Sequence, residues 1–319
     1  MRETVFLQQN KEKWQQLEEQ MNNPQASADE LADLYIQVTD DLAYARTFFP
    51  ETKSLQYLNS LAVKIHSKVY RNRKERSNRM ITFWTHEIPE VMYRHRYKML
   101  FSLVVFLLAT AIGVLSAAKD ERFVRLILGD DYVEMTLDNI KQGRPMDVYG
   151  RSEQTDMFFY IAFNNIRVSF YQFMTGVSAC VMTLVNEMQN AIMLGAFQYF
   201  FYERNLLQTS MLAIWIHGTL EISAIIIACG AGFILGSGFL FPGTYKRTTS
   251  MVRGAKDGIK IIVVLVPVFI VAAFFESYVT RYYQSLGWYS LIFILPSLAG
   301  IVWYFVYYPF KLYHGKKHA

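Results

Sequence analysis

Residues 211–240 form an apolar run of thirty residues in which only His217 and Glu221 would normally carry charge. About 20 apolar residues in a helix are enough to cross a bilayer, so this run predicts a membrane helix. His217 and Glu221 are four positions apart and share one face of that helix. The second half of the run is rich in small residues, and Gly232 and Gly236 have the spacing that lets two membrane helices approach closely.

The composition divides the chain into a polar part and an apolar part. Residues 1–97 are rich in charge, whereas most of residues 98–319 falls in long apolar runs. We therefore predict a cytoplasmic helical domain over 1–97 and a membrane domain over 98–319. The net charge of +5 does not indicate a nucleic-acid partner, because the basic residues lie beside the apolar runs. Cys180 and Cys229 both fall in predicted membrane helices and indicate no disulfide framework.

The N-terminal domain is predicted to contain four helices, from apolar residues at helical spacing and from helix-ending signals at prolines. The helices cover residues 5–21, 27–48, 53–70 and 77–98, and Pro89 should kink or split the fourth. Two interpretations stay open for this domain. It is either a small helical bundle at the cytoplasmic surface or a docking module for a partner protein.

Six membrane segments are predicted after the N-terminal domain, from apolar length and from the position of basic residues. They cover residues 99–118, 157–174, 177–201, 208–240, 258–281 and 287–308. Residues 119–156 hold nine acidic and six basic side chains and are expected outside the cell, with an amphipathic helix near Phe123 and Leu126 at the interface. The basic region 242–260, the basic tail and the N-terminus are expected in the cytoplasm.

The count of six depends on how residues 157–200 meet the membrane. A single crossing would move the basic region 242–260 to the outer side, so we predict two crossings or a re-entrant pair. The turn at Thr175-Gly176 then lies near the cytoplasm or buried in protein, because irregular backbone at membrane depth needs protein or water around it. The predicted fold is an all-α polytopic membrane protein with a soluble helical domain at its N-terminus.

Polar side chains within the predicted membrane segments define the candidate site. They are Asn164, Asn165, Arg167, Glu187, His217, Glu221 and Glu276. An ionised group in hydrocarbon costs roughly 2.5–3.5 kcal/mol unless it is paired, so we predict that Arg167 lies near Glu221 or Glu276. Three interpretations stay open: polar contacts that fix the packing of the helices, a polar cavity for binding or translocation, and a hydrolytic or metal site.

A metal or cofactor site is not predicted. His217 and Glu221 are both possible zinc ligands, but a zinc ion needs three or four protein ligands. No second histidine lies in the predicted membrane segments. A serine or cysteine nucleophile beside His217 cannot be identified from spacing, so enzymatic activity is not predicted either.

Several short elements carry a family resemblance. In the membrane domain they are Asn164-Asn165-Ile166-Arg167-Val168, Gly176, His217-Gly218-x-x-Glu221 with the glycine-rich helix after it, and Ala273-x-x-Glu276-Ser277. These elements resemble the stage II sporulation protein M family of integral membrane proteins. The N-terminal half, with Trp14 and Leu17-Glu18, is similar to a longer branch of that family found in many non-sporulating bacteria and archaea. The resemblance implies a multi-pass protein of the bacterial inner membrane, and sporulation members belong to a membrane complex with two peptidoglycan-degrading proteins.

Three functions follow as hypotheses. The first is a non-enzymatic scaffold or component of a membrane complex related to envelope remodelling, a homo-oligomer such as a dimer or a partner of other membrane proteins. The second is a transporter or channel-like protein whose cavity is lined by Asn165, Arg167, Glu187, His217 and Glu221. The third is an intramembrane hydrolase. The lipid bilayer is the one partner that all three share.

Overall fold

Every regular element in the described part of the chain is helical. The computed structural model describes residues 3–22, 28–70, 79–147 and 153–314. The chain divides into two compact units, Met1–Arg79 and Met80–Ala319. The prediction of an all-α fold is therefore confirmed.

The first unit consists of three helices, α1 (Glu3–Asn22), α2 (Ala28–Phe48) and α3 (Lys53–Tyr70). Their apolar faces meet in one core, which includes Phe6, Trp14, Val38, Leu58 and Ile65. The helical spacing of these residues explains the arrangement, because each helix presents one apolar face to the others.

One buried hydrogen bond ties α1 to α2. The indole Nε1 of Trp14 donates to the carboxylate of Asp41 at 2.8 Å, and Lys13 pairs with the same oxygen at 2.7 Å. A buried indole N–H needs such an acceptor, so this contact satisfies the polar edge of the largest core side chain.

The second unit holds twelve further α-helices within the described residues. They are α4 (Arg79–Thr82), α5 (Ile88–Arg94), α6 (Arg96–Lys119), α7 (Glu121–Leu128), α8 (Asp130–Lys141), α9 (Gln154–Met174), α10 (Val181–Glu203), α11 (Leu207–Leu240), α12 (Arg247–Phe274), α13 (Tyr283–Leu286), α14 (Leu291–Val302) and α15 (Tyr308–Tyr313). A π-helical turn, Phe275–Val279, continues α12.

The boundary between the units differs from the predicted one. Residues 80–97 belong to the second unit, because Ile88, Val91 and Met92 pack into its core together with Ile261. The predicted helix over 77–98 appears as α4, a π-helical turn Phe83–Glu87, and α5. Pro89 stands at the start of α5, where a missing backbone N–H is tolerated.

Three helical stretches among the described residues are long and apolar enough to cross a membrane. They are Arg96–Lys119, Leu207–Leu240 and Arg247–Tyr313. The third contains α12 through α15 and so includes both of the last two predicted segments. The length and composition of these helices are those of membrane-spanning segments, and the count of six segments stays a prediction.

Helix α11 lies at the centre of the second unit. It packs against α6, α9, α10, α12 and α14. In the C-terminal part of α11 nearly every residue is buried, including Ala228, Gly230 and Ala231. A membrane helix that is apolar on all sides and buried on all sides is the interior helix of a bundle.

The turn between α9 and α10 packs against the glycines of α11. Residues Thr175–Ser178 form a 3-10 turn, and Ala179 and Cys180 follow with left-handed φ angles of 54° and 71°. A Cβ on Gly232 would lie 2.8 Å from the carbonyl oxygen of Gln172, and one on Gly236 would lie 2.6 Å from the backbone N of Cys180. The face of α11 that carries these glycines is therefore occupied by this chain's own turn.

Helix α12 begins earlier than predicted. The basic region 242–260 was expected to be a cytoplasmic loop, but the chain is already helical from Arg247. Lysine and arginine are good helix formers, so the helix continues into the polar region without a break. Its N-terminal half makes polar contacts within the second unit: Lys260 forms an ion pair with Glu87 at 2.6 Å, and Asp257 lies 2.9 Å from Nε2 of His95.

The region predicted to hold one amphipathic helix contains two, α7 and α8. Phe123 and Ile127 pack against a core that also includes Phe200 and Ala213. Leu126, on the same helix, is 79% exposed. The amphipathic character predicted from the sequence is therefore present, with one large apolar side chain left outside the core.

Candidate intramembrane polar site

Three of the candidate side chains meet in the interior of the second unit. His217 and Glu221 stand one turn apart on α11, and Glu276 comes from the π-helical turn that ends α12. One ligand-type atom from each of the three lies within 4.8 Å of the other two. His217 is 4% exposed, whereas Glu221 and Glu276 are partly buried.

Thr280 fixes the orientation of the His217 ring. The Nδ1 atom of His217 lies 3.0 Å from the Thr280 hydroxyl oxygen, and that hydroxyl donates to the carbonyl oxygen of Phe275 at 3.1 Å. A threonine hydroxyl has one proton, and a carbonyl oxygen can only accept. The Nδ1–H of His217 is therefore the donor to Thr280, which leaves Nε2 as the nitrogen through which the ring would bind a ligand.

A fourth polar group reaches the cluster from α9. The side-chain amide of Asn165 lies beside the carboxyl group of Glu221. Asn165 is 9% exposed, and its Nδ2 has no hydrogen-bond partner among the described residues. The cluster is thus built from three elements, and one of its amide donors is unsatisfied.

Arg167 does not pair with Glu221, so that prediction is wrong. Arg167 and Asn164 are both exposed on the outer surface of α9, and no ion pair of Arg167 is found among the described residues. Asn165 and Arg167 are two positions apart, which turns them about 200° from each other around a helix. Because Asn165 points toward α11, Arg167 points away from it.

Glu187 forms a second and separate buried polar contact. It is fully buried on α10, and its Oε1 contacts the hydroxyl of Ser102 on α6. The same hydroxyl lies 2.7 Å from the carbonyl oxygen of Ile226. The Ser102 hydroxyl, which has one proton, is thus placed between two acceptors, the Glu187 carboxyl group and the Ile226 carbonyl oxygen.

A cavity of about 370 Å³ reaches Glu221 from the side of α7 and α8. Its walls are mostly apolar, with Ile127, Phe197 and Ile214 among them, and Asn190 and Glu221 contribute polar atoms. Of the five residues predicted to line a transport cavity, Glu221 borders this one. Burial raises the pKa of Tyr132, another wall residue on α8, which favours its neutral form.

Two residues that hydrogen-bond to the candidate side chains, Thr280 and Ser102, were not predicted from the sequence. Thr280 follows Glu276 by one helical turn, and this spacing is the one signal that could have found it. Ser102 gives no signal, because an isolated serine in an apolar helix is common and its partner Glu187 lies 85 positions away.

Comparison with models of protein families shows to which family the chain belongs. The model described as stage II sporulation protein M matches residues 102–281, which is more than half of the chain and contains all seven candidate polar residues. The chain belongs to the stage II sporulation protein M family. A second model, described as a domain of unknown function (DUF8413), matches residues 4–71 in the first unit of this family member. Comparison with curated proteins and with solved structures gives no match.

Proposed function

We propose that this chain is a non-enzymatic scaffold, a component of a membrane complex related to envelope remodelling in the bacterial inner membrane, with both termini cytoplasmic. Membership of the family supports a membrane protein. The membrane complex that the resemblance implies for sporulation members supports a role in assembly. The single observation that carries the proposal is the environment of Arg167.

Arg167 lies on a helix that runs alongside α12. The hydroxyl of Thr155 near one end of α9 is 3.4 Å from the hydroxyl of Tyr278, and Phe173 at the other end fills the space beside Gly258. Helix α9 is therefore antiparallel to α12 over about 30 Å, at 1.5 Å of rise per residue. If α12 crosses the bilayer, α9 lies at the same depth.

The surroundings of Arg167 are apolar. It borders a groove of about 380 Å³ between α9 and α12, together with Phe163, Phe170, Ile259 and Val263. Arg167 stands seven positions before the end of α9 at Met174, which is about 10 Å along the helix. An exposed guanidinium at that depth costs about 2.5–3.5 kcal/mol, so a partner with an acidic or polar group in the membrane would stabilise it.

Site-specific photo-crosslinking in cells tests the proposal. A photoreactive residue at Phe170, which is 50% exposed beside Arg167, should crosslink to a second membrane protein or a second copy of this chain. The control site is Leu107 on α6, which is 58% exposed to the same apolar environment away from the groove. Crosslinks to lipid alone from both sites would contradict the proposal.

Arg167→Leu separates assembly from folding. The variant should fold with unchanged or higher thermal stability in detergent, because it removes an exposed charge, and it should lose the crosslink from position 170. Asn164→Leu, a matched change of an exposed polar residue on the same helix, should keep the crosslink. A wild-type crosslink yield in Arg167→Leu would refute the role assigned to the guanidinium.

A transporter or channel-like function is the second candidate, because Glu221 belongs both to the buried cluster and to the cavity of about 370 Å³. Proteoliposomes that contain the purified chain would show cation or proton flux, and Glu221→Gln would abolish it. If the ion flux of liposomes that contain the wild-type protein were no faster than that of protein-free liposomes, this candidate function would be excluded for the ions assayed.

A further inference from the structure

We infer that His217, Glu221 and Glu276 form a binding site for one divalent transition-metal ion of the Zn²⁺, Fe²⁺ or Mn²⁺ class. The inference goes beyond the scaffold proposal, because a metal ion that joins two helices serves a scaffold and a transporter equally well. Four observations support it.

The first observation is the donor set. One imidazole nitrogen and two carboxylates, all within 4.8 Å of one another, supply the three protein ligands that an open metal site uses. The expectation of no metal site counted His217 and Glu221 alone, and the π-helical turn at the end of α12 adds Glu276. Imidazole with carboxylate oxygen suits zinc, iron and manganese, whereas an all-oxygen set would suit magnesium or calcium.

The second observation is charge. Glu221 and Glu276 are partly buried and their carboxylate oxygens lie within 4.8 Å of each other, so two ionised carboxylates here would repel each other. A divalent cation neutralises both charges at once. No lysine or arginine forms an ion pair with Glu221 or Glu276 among the described residues, so the chain supplies no other countercharge of that kind.

The third observation is the hydrogen bond between His217 and Thr280. The hydroxyl oxygen of Thr280 accepts a hydrogen bond from Nδ1–H of His217, and the hydroxyl donates to the carbonyl oxygen of Phe275. This arrangement orients the ring with Nε2 as the atom that would bind the metal ion. Histidine ligands in metal sites commonly donate their second nitrogen in this way. Because Nδ1 of His217 contacts Thr280, it does not donate to a carboxylate of the cluster. The ring therefore has the orientation of a histidine ligand that binds a metal ion through Nε2.

The fourth observation is the unsatisfied amide. Asn165 is nine-tenths buried and its side-chain amide lies within reach of Glu221, but its Nδ2 makes no hydrogen bond of good geometry among the described residues. A water molecule on the metal ion would accept this N–H bond. In a complete site each ligand atom would lie about 2.0–2.2 Å from the metal ion.

Metal analysis of the purified full chain is the first test. The protein carries a tag without histidines, is purified in detergent, and is analysed by inductively coupled plasma mass spectrometry. We expect about one zinc, iron or manganese ion per chain. A metal content that stays far below one, together with no saturable binding of Zn²⁺, Fe²⁺ or Mn²⁺ to the protein after treatment with a chelator, would overturn the inference.

Two matched variants show where the ion binds. Glu276→Gln keeps the shape of the side chain and removes one ligand charge, so it should lose the bound ion while retaining helical circular dichroism. Glu187→Gln removes the other buried carboxyl group, outside the cluster, and should bind metal as the wild type does. Equal metal content in wild type and Glu276→Gln would mean adventitious binding elsewhere and would refute the site.

Two further measurements test the ligand identities. Thr280→Val should weaken Zn²⁺ affinity about 10–100-fold in competition with a chelating dye, and Thr280→Ser should restore it. X-ray absorption at the metal edge should show nitrogen and oxygen ligands at about 2.0–2.2 Å. Sulfur ligands at about 2.3 Å would point to cysteine and would contradict the assignment.

Discussion

Substitution of Gly236 tests whether the glycine face of α11 serves the fold of one chain or the contact between two chains. A Cβ at this position would lie 2.6 Å from the backbone N of Cys180 and 2.6 Å from the carbonyl oxygen of Gly176. Both are backbone atoms of a turn with two left-handed residues, so they cannot move aside as a flexible side chain would. We expect Gly236→Ala to lower the free energy of unfolding by about 1–3 kcal/mol.

Gly300 provides the matched control. It lies inside α14, and a Cβ there would meet nothing within 4 Å. Alanine in a helix interior is favoured over glycine by about 0.5–1 kcal/mol, so Gly300→Ala should be neutral or slightly stabilising. The two variants make the same chemical change in two helices and differ only in the space around the new methyl group.

The assay is thermal unfolding of the purified full chain in detergent, followed by circular dichroism, with the oligomeric state measured by light scattering. Gly236→Ala should unfold at a lower temperature than wild type without a change in oligomeric state. If the variant kept wild-type stability and instead shifted a dimer to a monomer, the glycine face would be an interface between chains. That result would refute the packing argument.

Two further predictions concern buried hydrogen bonds. Ser102→Ala removes the partner of both Glu187 and the Ile226 carbonyl group, and we expect it to lower the free energy of unfolding by about 1–3 kcal/mol. Glu187→Gln should be near neutral in the same thermal-unfolding assay, because the amide oxygen can still accept a hydrogen bond from Ser102. In the first unit, Asp41→Ala should increase amide hydrogen exchange in α1 by removing the acceptor of the buried Trp14 indole, and Asp41→Asn, which keeps an acceptor oxygen, should have a smaller effect.

The extent of the helices could be predicted from the sequence, because apolar length and proline or glycine signals determine it. Helix α11 was expected over 208–240 and is observed over Leu207–Leu240. Helix α9 was expected over 157–174 and ends at Met174. The error at the start of α12 has a clear cause: charge was taken as evidence for a loop, although charged residues are compatible with a helix that extends beyond the apolar layer.

The side of each helix that faces the protein could not be predicted. In a soluble helix the apolar face marks the core, but a membrane helix is apolar toward lipid as well. The sequence pattern of α9 therefore could not show which residue, Asn165 or Arg167, faces the interior of the protein. The predicted pairing of Arg167 with Glu221 was argued from charge alone. Glu276 joins the cluster through a π-helical turn, and such a turn changes the face on which a residue lies without a reliable sequence signal.

Helix α9 connects the proposed partner contact with the proposed metal site, because it carries one residue of each on opposite faces. Asn165 faces Glu221 in the cluster, and Arg167 faces the outer groove two positions later. A partner that binds at Arg167 and shifts α9 would also shift Asn165 relative to Glu221. Linkage then requires that metal binding change the affinity for the partner by the same factor as the partner changes the affinity for the metal. Equal Zn²⁺ affinity in the free and the assembled chain would show that α9 is rigid and that the two sites are independent.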